Sequence, residues 1–294
     1  MARRIQDKYS PRPRKINYLI LIPTLRCNLS CSYCQVSRAP EKAKGFDWDH
    51  ETLDRFDQFL ANSEIDHLKV EFQGGEPSLR LDLVKSIIQI VKKNSVSSEF
   101  VICSNMVNMD SDLLDLLENE DFTISTSIDG SLSTMTKNRT FENDISKNIF
   151  NNFNYILKNY GPEKIAALPT ITENQINKPD EVIGTYLDLG FQSIFLRPVN
   201  YMGFARKKHK DASQAIKEWN KFYSDAMEII RQANANQYFE EFYMAMLVRE
   251  IFTNSGRSFV DYRSPSRFLG NYLVIDFDEK IYRSDEARML SRIK

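Results

Sequence analysis

Short apolar runs alternate with longer stretches of helical period along most of this chain. Tyr18-Leu19-Ile20-Leu21-Ile22-Pro23 is a continuous apolar run of strand length, and Leu68-Lys69-Val70-Glu71-Phe72 reads as a second buried strand. Residues 81–92 then place their apolar positions at helical spacing. The alternation continues with a third strand over 99–103, a helix over 110–117 and a fourth strand over 122–128. Residues 145–160 read as a helix with Ile149, Phe150, Phe153 and Ile156 on one side. The fifth and sixth strands are expected over 164–171 and 192–196, with a helix over 179–189 between them. Such alternation argues for a parallel sheet, and right-handed crossovers curl it into a partial (β/α)6 barrel of the α/β class. In these folds the ligand sits at the carboxyl ends of the strands.

Beyond the sixth strand the pattern changes. Residues 206–262 read as a helical segment, in which Trp219, Phe222 and Tyr223, then Tyr238, Phe239, Phe242 and Tyr243, recur at helical spacing. Packing between two helices is their expected task. Residues from Asn271 read as a β-hairpin, with Tyr272-Leu273-Val274-Ile275 and Lys280-Ile281-Tyr282 flanking Asp276-Phe277-Asp278-Glu279. The expected organisation is a flexible basic arm over 1–15, a barrel over 16–205, the helical segment, and a short C-terminal hairpin extension over 263–294. The basic run Arg206-Lys207-Lys208-His209-Lys210 is read as a solvated face that also suits an acidic leader peptide or an electron donor.

Composition narrows the function classes. The 294 residues, 42% of them hydrophobic, can bury a substantial core. With 39 basic against 40 acidic residues the chain carries no footprint for general nucleic-acid binding. Its apolar runs are of strand length and broken by charges, so no membrane span is expected. Met1-Ala2-Arg3-Arg4-Ile5 leads into Pro11 and Pro13 without an apolar h-region, which predicts a cytoplasmic protein with reduced thiols.

Three of the four cysteines lie in Cys27-Asn28-Leu29-Ser30-Cys31-Ser32-Tyr33-Cys34, directly after the first strand. A cubane iron-sulfur cluster ligated by three thiolates keeps one iron open for a small molecule. A structural zinc site needs four closed ligands, and His50, His67 and His209 are not placed to complete a local set. The second strand runs into Gln73-Gly74-Gly75-Glu76-Pro77. Two glycines at a strand end allow close backbone approach to a ligand, and Glu76 offers an acceptor for a cationic amine.

At these residues the chain resembles the radical S-adenosylmethionine (SAM) enzymes, which carry Cys-x3-Cys-x-aromatic-Cys after the first barrel strand and Gly-Gly-Glu-Pro after the second. The resemblance covers residues 16–205. It implies that Cys27, Cys31 and Cys34 hold one 4Fe-4S cluster, that Tyr33 lies near the adenine, and that Gly74, Gly75, Glu76 and Pro77 bind the methionine amino group of SAM. It also implies the chemistry: one electron from the reduced cluster cleaves SAM, and the resulting 5'-deoxyadenosyl radical takes hydrogen from an inert carbon.

The resemblance extends to further strand ends. Cys103-Ser104-Asn105 stands where the family often places Thr-Asn-Gly, so Ser104 and Asn105 are candidates to line the SAM pocket, with a plain turn as the alternative. Cys103 itself is read as a small buried hydrophobe. Ser127 and Asp129, in Ser127-Ile128-Asp129-Gly130, resemble a fourth-strand segment that meets the methionine carboxylate or ribose, although Asp129 also suits a turn at Gly130. Leu196-Arg197-Pro198-Val199 resembles a sixth-strand segment beneath the adenine, with Arg197 as a partner for a carboxylate.

Many peptide-modifying members continue into a hairpin and a cysteine-rich extension holding auxiliary clusters. Here Arg267-Phe268-Leu269-Gly270 and Tyr282-Arg283-Ser284-Asp285 contain no cysteine, so no auxiliary cluster of that type is expected. The hairpin is read as a reduced extension packed over the barrel mouth, and the stop at Lys294 as a shortened module. Asp276, Asp278 and Tyr282 receive no catalytic role. Pro23-Thr24-Leu25-Arg26-Cys27-Asn28, Cys34-Gln35-Val36-Ser37-Arg38-Ala39 and Ser284-Asp285-Glu286-Ala287-Arg288-Met289-Leu290 look like the B-type radical SAM maturase of His-Xaa-Ser peptide systems. That resemblance implies a ribosomally made peptide substrate, other maturation proteins as partners and an electron donor. The expected outcome is a crosslink, epimerisation or oxidation. The alternatives are sulfatase-type oxidation of a protein Cys or Ser, and a non-catalytic peptide- or SAM-binding partner of another maturase.

Overall fold

The computed structural model describes residues 16–208, 212–253 and 272–292. Strand β1 (Tyr18–Thr24) lies parallel to β2 (His67–Gly74), and the sheet continues through β3 (Ser97–Cys103), β4 (Phe122–Thr126) and β5 (Ile165–Ala167). The crossovers carry α1 (His50–Ala61), α2 (Leu81–Asn94), α3 (Ser111–Leu117) and α4 (Asn143–Tyr160). Helix α1 escaped the periodicity reading, yet its start is well defined: the Asp49 carboxylate accepts from Thr52 N at 2.9 Å. Asp110 caps α3 in the same way.

Period-two alternation sends Leu19, Leu21, Val70, Phe72, Phe100, Ile102, Phe122 and Ile124 to one face of the sheet. There they form a single core with Val84, Ile87, Val91, Ile149, Phe153 and Ile156 of the helices. Each such side chain stabilises the fold by about 1.5–3 kcal/mol relative to exposure. The other face differs from strand to strand. On β1 it is apolar, with Ile20 and Ile22 packed on Val274. On β2 and β3 it turns polar: Glu71 accepts from Tyr18 OH, from Gln73 Nε2 at 2.6 Å and from Cys103 Sγ at 3.2 Å. Cys103 is therefore a hydrogen-bonding thiol rather than a simple apolar filler, and burial holds it protonated by pushing its pKa well up.

The barrel wall departs from expectation after β5. The predicted fifth strand breaks at Leu168-Pro169, because Leu168 N still donates to Thr126 O at 3.0 Å but Pro169 has no N–H to continue the ladder. The chain resumes as β6 (Thr170–Ile171). After α5 (Pro179–Asp188) the predicted sixth strand is also split, into β7 (Ser193–Ile194) and β8 (Arg197–Pro198). Strand β8 pairs with β6, whereas β7 pairs with β9 (Glu240–Glu241). Helices α6 (Ala212–Ala233) and α7 (Phe242–Phe252) complete this end. The aromatic residues there divide: Phe222 and Phe239 are buried, while Tyr238 and Phe242 are exposed.

The C-terminal hairpin forms, but as part of the sheet rather than a cover over the mouth. Strand β10 (Tyr272–Ile275) adds parallel to β1 with Tyr18 opposite Tyr272, and β11 (Ile281–Tyr282) closes the hairpin antiparallel to it, making a seven-stranded sheet. Its turn emerges at the carboxyl edge, where Trp48 Nε1 donates to Asp276 O at 3.0 Å and Phe46 packs on Phe277. Arg288 of helix α8 (Asp285–Leu290) is fully buried, bonded to Asp285 of its own helix at 2.6 Å and 3.8 Å from Asp276, which ties the helix to the hairpin. Asp276, buried beside Arg288 and paired with Arg292, belongs to this fastening. The arm 1–15, His209, Lys210 and the Arg267-Phe268-Leu269-Gly270 neighbourhood lie outside the described residues. Among the described residues no helix is long and apolar enough to cross a membrane.

Candidate active site

Strand β1 delivers the chain to the cysteine loop. A short bridge pairs Arg26–Cys27 with Ala39–Pro40 and closes the intervening residues into a loop. The loop is anchored at its root by Asp47, which accepts from Thr24 Oγ1 at 2.5 Å and from Arg26 Nε at 2.8 Å and pairs with Arg80 at 2.8 Å. Cys27, Cys31 and Cys34 are free thiols, each half-buried. Burial pushes the Cys27 thiol up to about 12 and the Cys31 thiol up to about 11 despite the charge of Arg139, so both stay protonated at neutral pH unless a bound metal draws them into the thiolate form.

The Gly74-Gly75-Glu76-Pro77 turn presses directly on this root. Gly74 has φ 138°, and a Cβ there would stand 2.1 Å from Thr24 O; a Cβ on Gly75 would stand 2.2 Å from Arg26 O. The glycines thus admit the protein's own backbone, with Gly75 N donating to Thr24 O at 3.1 Å and Glu76 N to Arg26 O at 2.8 Å. Pro77 opens a one-turn helix, Pro77–Arg80, that Glu76 caps. The Glu76 carboxylate is only 1% exposed. It accepts from Ser78 N at 3.2 Å and from Asn105 N at 2.7 Å, and burial raises its pKa against these bonds.

Ser104 and Asn105 follow β3 into the same place. Ser104 is buried, and its hydroxyl accepts from Met106 N at 3.1 Å. Asn105 Nδ2 donates to Asn28 Oδ1 at 2.7 Å and lies 3.9 Å from Cys27 Sγ. Asp129 is completely buried and does more than start a turn. Tyr33 OH donates to its Oδ2 at 2.9 Å, Thr170 N to its Oδ1 at 3.2 Å, and Gln175 Nε2 to its carbonyl at 2.8 Å. Ser127 joins through its carbonyl, which accepts from Arg139 NH1 at 2.8 Å. Arg197 stands apart on β8, 5.6 Å over the Phe195 ring and within electrostatic reach of Cys103.

Two residues at the site had no sequence signal. Asn138 and Arg139 sit on a widened π-type turn, Thr136–Thr140, which ends at Phe141 in the left-handed region with φ 60°. Asn138 O accepts from Ser32 N at 2.7 Å, so this turn is stitched to the middle of the cysteine loop. Arg139 is 5% exposed, and the groups whose charge acts on its guanidinium are, in order, Tyr33, Cys31, Asp129 and Glu76. Its Nε is buried with no hydrogen-bond partner among the described residues. The surrounding string of polar residues has neither helical nor strand period, and nothing in it marks one arginine as special.

Known proteins share both the fold and the sequence pattern. An uncharacterized protein of Methanocaldococcus jannaschii is 27% identical over 218 residues, 70% of either chain. A GTP 3',8-cyclase of Clostridium botulinum is 26% identical over 226 residues, 74% of this chain and 66% of the cyclase, so this chain spans just under two thirds of that enzyme. Among solved structures, anSMEcpe with bound AdoMet superposes with a TM-score of 0.73 at 18% identity, over 92% of this chain and 74% of that one. Streptococcus suis SuiB bound to precursor peptide SuiA gives 0.63 at 16% identity, over 96% of this chain and 62% of SuiB. Identities this low establish the fold alone. The sequence itself supplies the rest: the model of the Radical SAM superfamily matches residues 21–177, from β1 through the cysteine loop, the Gly74–Pro77 turn and the Asp129 network. That span is more than half of the chain, and the protein belongs to the radical SAM superfamily.

Proposed function

We propose that Cys27, Cys31 and Cys34 hold one 4Fe-4S cluster at which SAM is reductively cleaved, and that the protein then takes hydrogen from a ribosomally made peptide to crosslink, epimerise or oxidise it. One observation carries the reading: Asn105 bonds the Glu76 carboxylate through its main chain while its side chain reaches Asn28 and Cys27. The turn for the methionyl amine and the loop for the metal are thereby one rigid unit.

The residues fit such a cluster. The donors are soft thiols in a half-buried loop, and Cys27 and Cys31, raised by burial, ionise at neutral pH only on binding a metal. Among the described residues no three His, Cys, Asp or Glu side chains stand close enough to share one ion. A cubane makes no such demand, because each thiolate takes a different iron. When bound, cluster and SAM together supply an electron and a carbon-centred oxidant strong enough to take hydrogen from an unactivated carbon. The chain's own part is positional. Glu76 would accept from the amine, Ser104 and Asn105 would line the pocket, Tyr33, bonded to Asp129, would lie near the adenine, Ser127 would meet the carboxylate or ribose, and Arg197 would pair with a carboxylate.

The peptide substrate is supported by two structural neighbours, SuiB bound to its precursor peptide and anSMEcpe bound to AdoMet and a peptide. The chemistry calls for an electron donor, and the resemblance to His-Xaa-Ser peptide maturases adds other maturation proteins as partners. The decisive assay is anaerobic: reconstitute the iron-sulfur cluster, add reductant and SAM, and measure 5'-deoxyadenosine with and without a candidate peptide, taken from a short reading frame found beside the gene. Product, stimulated by that peptide, is expected. A protein that holds a cluster yet makes none, even with the peptide, is a binding partner rather than an enzyme. Product without any change in the peptide redirects the search toward a protein Cys or Ser, as in sulfatase-type oxidation.

A further inference from the structure

We infer that Arg139 is an electrostatic tuning residue that raises the reduction potential of the cluster by fixing a buried cation beside Cys31. The inference rests on the cluster assignment proposed above. Its grounds are geometric. The Ser32 N to Asn138 O bond of 2.7 Å fixes the residue before Arg139 against the residue after Cys31. NH1 is tied to Ser127 O at 2.8 Å, which holds the guanidinium in place. The side chain is 5% exposed, so water screens its charge little. A surface arginine would place its charge in solvent; this one is enclosed, with Nε left without a partner among the described residues.

The other charges around it do not cancel this effect in a way that hides Arg139. Glu76 and Asp129 face the same cation, and burial raises the pKa of both carboxyls. Asp129 is further committed to Tyr33 OH and Thr170 N, and Glu76 to the main chain of Ser78 and Asn105. Arg139 is thus the mobile-proton-free charge of the group, since a guanidinium keeps its proton at any working pH. Reducing the cluster adds one negative charge. A fixed cation at close range in a low-dielectric setting favours the reduced form, in line with the general dependence of cluster potentials on local charge and hydrogen bonding.

The test uses the full chain, reconstituted anaerobically and titrated with a one-electron reductant in the absence of SAM, with the reduced fraction read by electron paramagnetic resonance. Arg139→Gln, loaded with the same iron as the wild type, is expected to shift the reduction equilibrium toward the oxidised form at least about tenfold, ~59 mV for one electron. Arg139→Lys, which keeps the charge and loses the fork geometry, is expected to stay within about threefold of the wild type. Equal potentials in Arg139→Gln and wild type overturn the inference, as does a lysine variant that falls as far as the glutamine one. Where Arg139→Gln does not take up iron, Arg139→His makes the comparison within one protein. Relative to wild type, its potential should fall between about pH 5.5 and about pH 8.5 as the imidazole loses its charge, and a pH-independent difference overturns the inference. A wild-type chain that assembles no cluster at all overturns the functional proposal instead, so the two failures are distinguishable.

Discussion

Asn105 N donates to Glu76 Oε2 at 2.7 Å, so the end of β3 and the turn after β2 share one buried carboxylate. With Ser78 N on the other oxygen at 3.2 Å, Glu76 is a structural acceptor as well as a candidate ligand.

Glu76→Ala therefore strands two buried N–H groups, each worth about 1–3 kcal/mol when left unsatisfied. Denaturant unfolding of the metal-free chain should show that loss. Glu76→Gln keeps one acceptor oxygen, enough for one of the two N–H groups, and should lose about half as much stability as Glu76→Ala while SAM affinity, measured by calorimetry on the reconstituted protein, falls at least about tenfold. Equal loss of stability in both variants contradicts this split.

Gly75→Ala drives a methyl to 2.2 Å from Arg26 O, a contact only a backbone shift relieves. It should lower the melting temperature and reduce iron uptake together, because the displaced strand end carries Cys27. Gly184, inside α5 with nothing within 4 Å of a built Cβ, is the control. Gly184→Ala should stabilise by roughly 0.5–1 kcal/mol and leave iron content unchanged.

Cys31→Ala should abolish the visible absorbance of the reconstituted cluster, whereas Cys103→Ala should leave it intact. Cys103 is bonded to Glu71 on the polar face of the sheet. Iron analysis beside the spectrum checks both variants, and loss of iron from the Cys103 variant reverses the ligand assignment.

Glu181 gives a pH prediction. Burial pushes its carboxyl up, but hydrogen bonds from Ser131 N and Thr134 Oγ1 outweigh that and hold it at about 2, against an ordinary 4.5. The folded-state value lies below the unfolded one, so ionised Glu181 favours the fold. That contribution is complete above about pH 4.5 and disappears as the pH falls toward about 2. Glu181→Gln should be less stable than wild type at neutral pH, and the gap should close across that acid window in denaturant titrations.

Much of this arrangement was readable from residue order, for identifiable reasons. Strand β1 announces itself as a continuous apolar run buried on both faces, and β2 to β4 because one face of each must enter the core, so Phe72, Phe100 and Ile124 alternate with less buried neighbours. The cysteine loop and Gly74–Pro77 are legible because their chemistry is local in sequence. The break at Pro169 needed only the rule that proline cannot donate, but the pairing of β6 with β8 depends on contacts nearly 30 residues apart. Pairing of β10 with β1 joins the two ends of the chain, and no local pattern encodes it. Arg139 is the clearest case of what stays hidden. Its place is set by Asn138 O and Ser127 O, two main-chain atoms that carry no side-chain signature.

The central claim is an iron-sulfur centre with one iron free to take SAM, beside the Glu76 turn. The most direct measurement is electron paramagnetic resonance of the anaerobically reconstituted, reduced protein before and after adding SAM. The account predicts about four irons per chain and a signal that changes on SAM addition in wild type but not in Glu76→Ala. A reduced signal indifferent to SAM, or one that survives in Cys31→Ala, contradicts it.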